Sequence, residues 1–388
     1  MNKLFSQAWD LAPFMTDIRR KLHSNPERSL QEIKTNLLIR DTLKSEGIPY
    51  LTVGETVTIA EIMGAKPGKT VAARADTDAL PVLELADVSW KSGVPGVMHA
   101  CGHDIHTAIG LGLARLLFSQ REKMAGRALV IFQPAEEGGG GAAQVVKSGL
   151  LEGVSAFYAL HVWPQLETGH LNISAGPVCA ASSRIRMRVM GRGGHGAYPE
   201  LCYSALLAAA DISLELEKMV PRTPEERPDF VMSLGQLHTG SAWNIIPAEA
   251  MIEGSLRVLK AGMQEEMLGK IRKIAKETAA KRHCEAVLEV EDYCGLVSND
   301  EENSERARRS AREALGETAV GQEERALIGD DFSEYLTIAP GVYMQLGVKR
   351  PGQTEMYPLH HGLFNPDEDA MPYGLAGLAA AMLDRLKN

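Results

Sequence analysis

The chain has no apolar run able to cross a bilayer: its longest, such as residues 205–210, fall far below the ~18 residues that suggest a membrane span. The start MNKLFSQAWD also lacks an apolar stretch followed by a small-residue cleavage site. A cytoplasmic protein without membrane association is expected. Positive charge is in deficit, with 41 Lys and Arg against 50 Asp and Glu, a net charge of −9 and a pI near 5.7. That balance argues against nucleic acid or an anionic membrane surface as the main partner and favours a small molecule. The cysteines (Cys101, Cys179, Cys202, Cys284, Cys294) number five at irregular spacings, which is not a disulfide framework. Four of them read as small buried hydrophobes; Cys101 sits among histidines. Internal repeats, heptad runs and low-complexity segments are missing as well.

What is present is enough apolar sequence for more than one small core. At 388 residues the chain exceeds the ~250–300 at which single cores stop growing, so one large domain or two is expected. Ile18, Leu22, Ile33, Leu37 and Leu38 recur at near-helical spacing and predict helix over 17–48, interrupted at Asn25-Pro26 and closed at Gly47. Short runs rich in Val, Ile, Ala and Phe at 57–63, 70–75, 128–132 and 154–160 have the look of strands covered on both faces. Helices at 107–118 and 142–148 fall between them, the alternation of an α/β sheet. Residues 180–292 carry a different order: strand 183–190, helix 203–220, strands 230–237 and 250–259, helix 264–282, strand 285–293. This βαββαβ order is the split pattern of a ferredoxin-like domain, with 221–228 as a surface connection. Helix 301–315, strand 342–346 and helix 368–386 then resume the first style. The expected division is a catalytic domain in two parts, 1–179 and 293–388, with 180–292 inserted.

In open α/β sheets ligands bind beyond the carboxyl ends of the strands. The strand at 70–75 runs into Asp76-Thr-Asp78, that at 128–132 into Glu136-Glu137, and that at 154–160 into His161. With His99-Ala-Cys101-Gly-His103-Asp104-Ile-His106, these gather carboxylates, imidazoles and one thiol at one sheet edge, a metal-binding composition. Cys101 and His103 flank Gly102, so both can point to the same side of a tight turn. His99 and His106 are expected behind the ligands or at the helix start. Adjacent carboxylates point in different directions, so Glu136-Glu137 can divide into one ligand and one general base; a solvated acidic turn before the glycines at 138–141 is the other reading. Asp76 and Asp78 are either ligands or acceptors that orient ligand histidines, the second being preferred. The glycine run is not followed by Lys-Ser or Lys-Thr and makes a weak phosphate loop.

Arg74-Ala-Asp-Thr-Asp-Ala-Leu-Pro81, Met98-His-Ala-Cys-Gly-His-Asp-Ile-His-Thr107, Phe132-Gln-Pro-Ala-Glu-Glu-Gly138 and Leu160-His-Val-Trp-Pro164 resemble the M20 family of metallopeptidases. The resemblance is closest to its amidohydrolase branch, which includes N-acyl amino acid amidohydrolases, hippurate hydrolases and auxin-conjugate hydrolases. It spans nearly the whole chain, from His23-Ser-Asn-Pro-Glu27 through Gly191-Arg-Gly-Gly-His-Gly196, Trp243-Asn-Ile-Ile-Pro247, Gly254-Ser-Leu-Arg257 and Asp330-Asp-Phe-Ser333 to Leu359-His360. It implies a zinc-peptidase-like catalytic domain with an inserted ferredoxin-like lid. It further implies two divalent ions, Mn2+ or Zn2+ with Ni2+ or Co2+ as substitutes, held by Cys101, His103, Glu137, His161 and His360, Cys101 bridging. Glu136 becomes the general base and His195 a lid group near the scissile carbonyl. Asn244 and Arg257 face the substrate carboxylate, while Asp76, Asp78 and Asp104 stand behind the ligands. Two departures bear on substrate choice, Glu200 where the branch often has His and Asp330 where it has Glu; a third, His361-Gly362 where a small residue and Pro are frequent, makes His361 the alternative to His360 as a ligand, His360 being preferred because it follows Leu359.

The expected reaction is hydrolysis of the amide of an N-acyl amino acid or small peptide. A cysteine-nucleophile amidase using Cys101 and a non-catalytic metal-dependent binder of small acids are the alternatives. An exposed lid edge, the 250–259 strand or its neighbour, is the expected surface for a homodimer or tetramer.

Overall fold

The computed structural model describes residues 2–220, 229–321 and 325–387, so the 221–228 connection lies outside the described residues. The chain forms two compact units: Met1–Val178 with Ser298–Glu324 and Asp331–Asn388, and Cys179–Val297 with Arg325–Asp330. The short segment Arg325–Asp330 thus belongs with the inserted unit.

The first unit is built on an eight-stranded sheet in the order Tyr50–Val53, Val57–Met63, Ala125–Gln133, Lys66–Asp76, Val154–Glu167, Gly341–Lys349, Leu171–Asn172, Val320–Gly321. Ala125–Gln133, Lys66–Asp76, Val154–Glu167 and Gly341–Lys349 run parallel to one another, and the first two strands add antiparallel. The parallel strands lack alternation because both faces are covered: Val71, Ala72, Leu129 and Ile131 are all fully buried. The helices His103–Gln120 and Ala370–Lys387 pack on this sheet, and Gly110 lets the first come close, since a Cβ there would sit 2.9 Å from Phe132 and 3.1 Å from Ala75. The helix expected over 17–48 is two, Ala12–Ser24 and Ile33–Ser45. Pro26 has no N–H to continue the ladder and bars helical backbone at Asn25, which sits at φ −131, ψ 54. The strand expected to end at His161 continues to Glu167, because its outer part keeps pairing with Gly341–Lys349 as far as Glu167↔Lys349.

The inserted unit is a four-stranded antiparallel sheet, in the order Phe230–Thr239, Glu249–Val258, Ala181–Met190, Glu285–Cys294. The helices Ala205–Glu217 and Met263–Ala280 cover one face, burying Ile185, Met187, Val189, Ile252, Ile212 and Ile271. Between those inward residues Arg184, Arg186 and Arg188 point outward, the period-2 alternation of a half-covered sheet. Of the two expected edges, the strand at 250–259 is interior, held on both sides, and its neighbour Phe230–Thr239 is one edge of the sheet, Glu285–Cys294 being the other. No helix among the described residues is long and apolar enough to cross a membrane.

Candidate metal centre

Parallel strands ending side by side bring distant sequence segments to one edge of the first unit. Lys66–Asp76 delivers Asp76 and Asp78. Ala125–Gln133 delivers Glu136 and Glu137 after Ala135, a non-glycine residue held at φ 52. Asp78 ties the segments together. Its Oδ1 accepts from the Glu136 N–H (3.1 Å), and its Oδ2 from the Glu137 N–H (3.0 Å) and the Ser29 hydroxyl (2.7 Å). His103 opens the helix His103–Gln120, and its Nδ1 lies 2.9 Å from the Asp78 carbonyl and 3.1 Å from Oδ1. A carbonyl only accepts, so Nδ1 carries the proton. Nε2, fully buried and without a hydrogen-bond partner, faces the cluster with Asp76 Oδ2 at 3.7 Å.

His161 is oriented in the same manner. Its Nδ1 donates to the Val162 carbonyl at 2.8 Å, leaving Nε2 3.5 Å from Cys101 Sγ. Burial, helped by neighbouring His106, holds its pKa well below the usual histidine value, so it stays neutral with a lone pair to offer. Gly102, at φ 82, makes the turn between Cys101 and His103; a Cβ there would lie 2.5 Å from Val162 Cγ2. His360, also at positive φ (65), donates its N–H to the Ala100 carbonyl (2.8 Å) and places Nε2 2.9 Å from Glu137 Oε1. His361 instead stacks on Tyr357 with centroids 4.6 Å apart.

In several triads the donor atoms lie within 4.8 Å of one another, among them Cys101, His103, His161; Cys101, Glu137, His360; and His103, Glu136, Glu137. The first two share only Cys101. The electrostatics fit cations too. Burial pushes the Cys101 thiol well above its usual pKa, and the Glu137 and Glu136 carboxylates push it further. Burial opposes charging His103, yet Asp76 and Asp78 outweigh it and raise its pKa to about 10. Such a pocket rewards positive charge, and thiolate, imidazole and carboxylate together suit divalent transition metals.

The profile of peptidase family M20/M25/M40 matches residues 72–384. The chain belongs to this family. It is 33% identical to IAA-amino acid hydrolase ILR1-like 4 of Arabidopsis thaliana over 97% of this chain and 86% of the relative. It is 35% identical to N-acetylcysteine deacetylase of Bacillus subtilis (strain 168) over 96% and 98%. Among solved structures, the Bacillus subtilis YXEP protein, described as a dinuclear metal-binding peptidase from the M20 family, superposes with a TM-score of 0.84 at 32% identity, covering 97% of this chain and 99% of that one.

Around this M20 centre the remaining candidates fall in different places. Asp104 does not stand behind a ligand histidine. Its Oδ2 accepts from Arg19 Nε (2.7 Å) and from His23 Nδ1 (2.8 Å), because its helix position turns it towards Ala12–Ser24. His99 is buried, which lowers its pKa to about 4, and neither ring nitrogen has a hydrogen-bond partner. In the inserted unit, Gly194–His195 pairs with Ile245–Ile246, and the Gly196 N–H donates to the Asn244 carbonyl at 2.9 Å, so His195 and Asn244 share one ribbon. Arg257 lies near the far end of Glu249–Val258 and donates to the Leu327 carbonyl at 3.2 Å.

A buried network under the centre was not legible from the motifs. Arg74, fully buried, donates to Asp76 Oδ2 (2.5 Å), Asp331 Oδ1 (2.8 Å) and Gln133 Oε1 (3.0 Å). Gln133 in turn donates to Asp331 and accepts from the Tyr335 hydroxyl. The one available signal was a charged residue, Arg74, inside an otherwise apolar strand.

Proposed function

We propose that this M20 protein hydrolyses the amide bond joining an acyl group to an amino acid or small peptide. The observation that carries the reading is the pair of donor triads sharing Cys101, with Glu136 beside them. Cys101, His103, Glu137, His161 and His360 would hold two divalent ions, which when bound lower the pKa of a water and polarise the substrate carbonyl. Zinc or manganese is proposed, the thiolate favouring zinc, with nickel or cobalt as substitutes. Glu136 takes the proton of the attacking water and returns it to the departing amine. Asp78 steadies that turn by accepting the N–H groups of Glu136 and Glu137. On the inserted unit, read as a lid, His195 donates to the oxygen that becomes negative, and Asn244 and Arg257 take the substrate carboxylate, Arg through its planar fork. Relatives named for N-acetylcysteine and for an auxin–amino acid conjugate support N-acyl amino acids as the substrate class. Pairing of lids through the edge strands Phe230–Thr239 or Glu285–Cys294 is proposed as the route to a homodimer or tetramer.

A nucleophilic Cys101 is disfavoured, since burial and two adjacent carboxylates suppress its thiolate where no cation offsets them. The test is Glu136→Gln with release of amino acid from N-acetyl and N-benzoyl substrates. Turnover should drop about 10²–10⁴-fold at unchanged metal content, and full activity in that variant would reject the assignment.

A further inference from the structure

The third histidine of the 99–106 segment is buried against the centre, and the proposed reaction gives it no part. With Asp76 and His103 it even forms a compact donor group. Its hydrogen bonds rule it out as a ligand. The Val162 N–H donates to His106 Nε2 at 2.9 Å, so that nitrogen is unprotonated and its lone pair is spent. Nδ1 therefore carries the proton and donates to Asp76 Oδ1 at 2.5 Å. Asp76 in turn is fixed through Oδ2 by Arg74.

The sheet explains why an imidazole is needed there. Lys66–Asp76 pairs with Val154–Glu167 only as far as Arg74↔Ala159, so Val162 lies beyond the end of that ladder. Its backbone groups would be orphaned inside the protein. His106 accepts the N–H, and His161 Nδ1 donates to the C=O at 2.8 Å. Val162 also seats the Cys101-Gly102-His103 turn, since Gly102 packs so closely on its side chain that a Cβ would meet Cγ2 at 2.5 Å. One residue thereby touches two segments that carry donors of the same triad.

We propose that His106 is a positioning residue, which through the Val162 backbone fixes the orientation of His161 and of the Cys101–His103 turn. The inference rests on reading those residues as metal ligands. Two near-isosteres separate its halves. His106→Gln puts an oxygen near the position of Nε2, keeping the acceptor for Val162 and losing the donor to Asp76. His106→Asn puts an amide near the position of Nδ1, keeping the donor and leaving the Val162 N–H bare.

Co2+ is titrated into chelator-stripped full-length protein, with stoichiometry and affinity read by calorimetry and the thiolate-to-cobalt absorption recorded in parallel. Thermal midpoints of the stripped proteins report folding. Wild type should take two ions. His106→Asn should bind at least one of them about 10- to 100-fold more weakly, with an altered thiolate band, while His106→Gln stays within about threefold of wild type. Equal loss in both variants, or wild-type binding by His106→Asn, overturns the proposal and leaves the metal reading standing. A wild type that binds no cobalt overturns both. Should His106→Asn not fold, His106→Gln decides alone: near wild-type affinity supports the Val162 route, and a loss beyond tenfold contradicts it.

Discussion

The two units place their charges in opposite ways. In the first, Arg74, Asp76 and His103 are buried together beneath the candidate centre, and Arg19 and Asp104 are buried in a second network with His23. In the inserted unit, Arg184, Arg186 and Arg188 meet Glu253, Glu289 and Glu291 on the open face of a sheet, and Lys270 meets Glu266 on the outer face of a helix. Taking charges out of water costs more than their attraction returns unless the geometry is closely met, so a buried set of this kind is weak evidence for stability. Through Asp76 the Arg74 part of it meets His103 and His106. Apart from Glu253, which is buried between Arg184 and Arg186, these pairs are exposed and screened by solvent.

Breaking the buried set should have the largest effect. Arg74→Met leaves Asp76 and Asp331 without their shared cation and should destabilise the protein by about 3–5 kcal/mol; a thermal or urea midpoint close to wild type would contradict the contrast. A medium effect concerns pH. His23 lies with Nδ1 2.8 Å from Asp104 and Nε2 3.1 Å from Glu84. Burial works against its charged form, but the two carboxylates win and raise its pKa above the ordinary 6.5. A raised folded pKa means stabilisation that is complete below pH 6.5 and lost as pH climbs through the folded value. Burial likewise opposes the ionised forms of Asp104 and Glu84, yet Arg19 and His23 for the first, and His23 for the second, lower them. Their contribution is present above the ordinary 3.8 and 4.5 and fades as pH falls through the lowered values. The stability gap between wild type and His23→Gln, followed by urea unfolding, should therefore be widest between the two limits and narrow from pH 6.5 upward; a gap independent of pH would remove the imidazolium from the account. At the small end, Lys270→Ala should leave the thermal midpoint where it is, and a clear drop would show that the exposed pairs carry more than assigned.

The same contrast explains what could be read from the chain alone. The run 128–132 reveals a strand because burial on both faces demands apolar residues without gaps, and the βαββαβ order shows through the alternation in Ala181–Met190. The ligand candidates were legible because Cys101, His103 and Glu136-Glu137 sit at strand ends or a helix start with their chemistry clustered. Arg74 with Asp331, 257 positions apart, and Asp104 with His23, 81 apart, meet only through the tertiary fold, and no local spacing announces them. The edge of the inserted sheet was legible only to within a neighbouring strand for a related reason: an apolar run shows that a strand is covered, not which neighbours flank it.

The central question for this protein is whether one thiolate serves two cation positions. Elemental analysis of stripped and reloaded protein, wild type beside Cys101→Ala, tests this directly. The prediction is two divalent ions per wild-type chain, weakened binding of both in the variant, and hydrolysis of N-acyl amino acids that disappears on stripping and returns on reloading. Two ions retained in Cys101→Ala, or turnover indifferent to stripping, would contradict it.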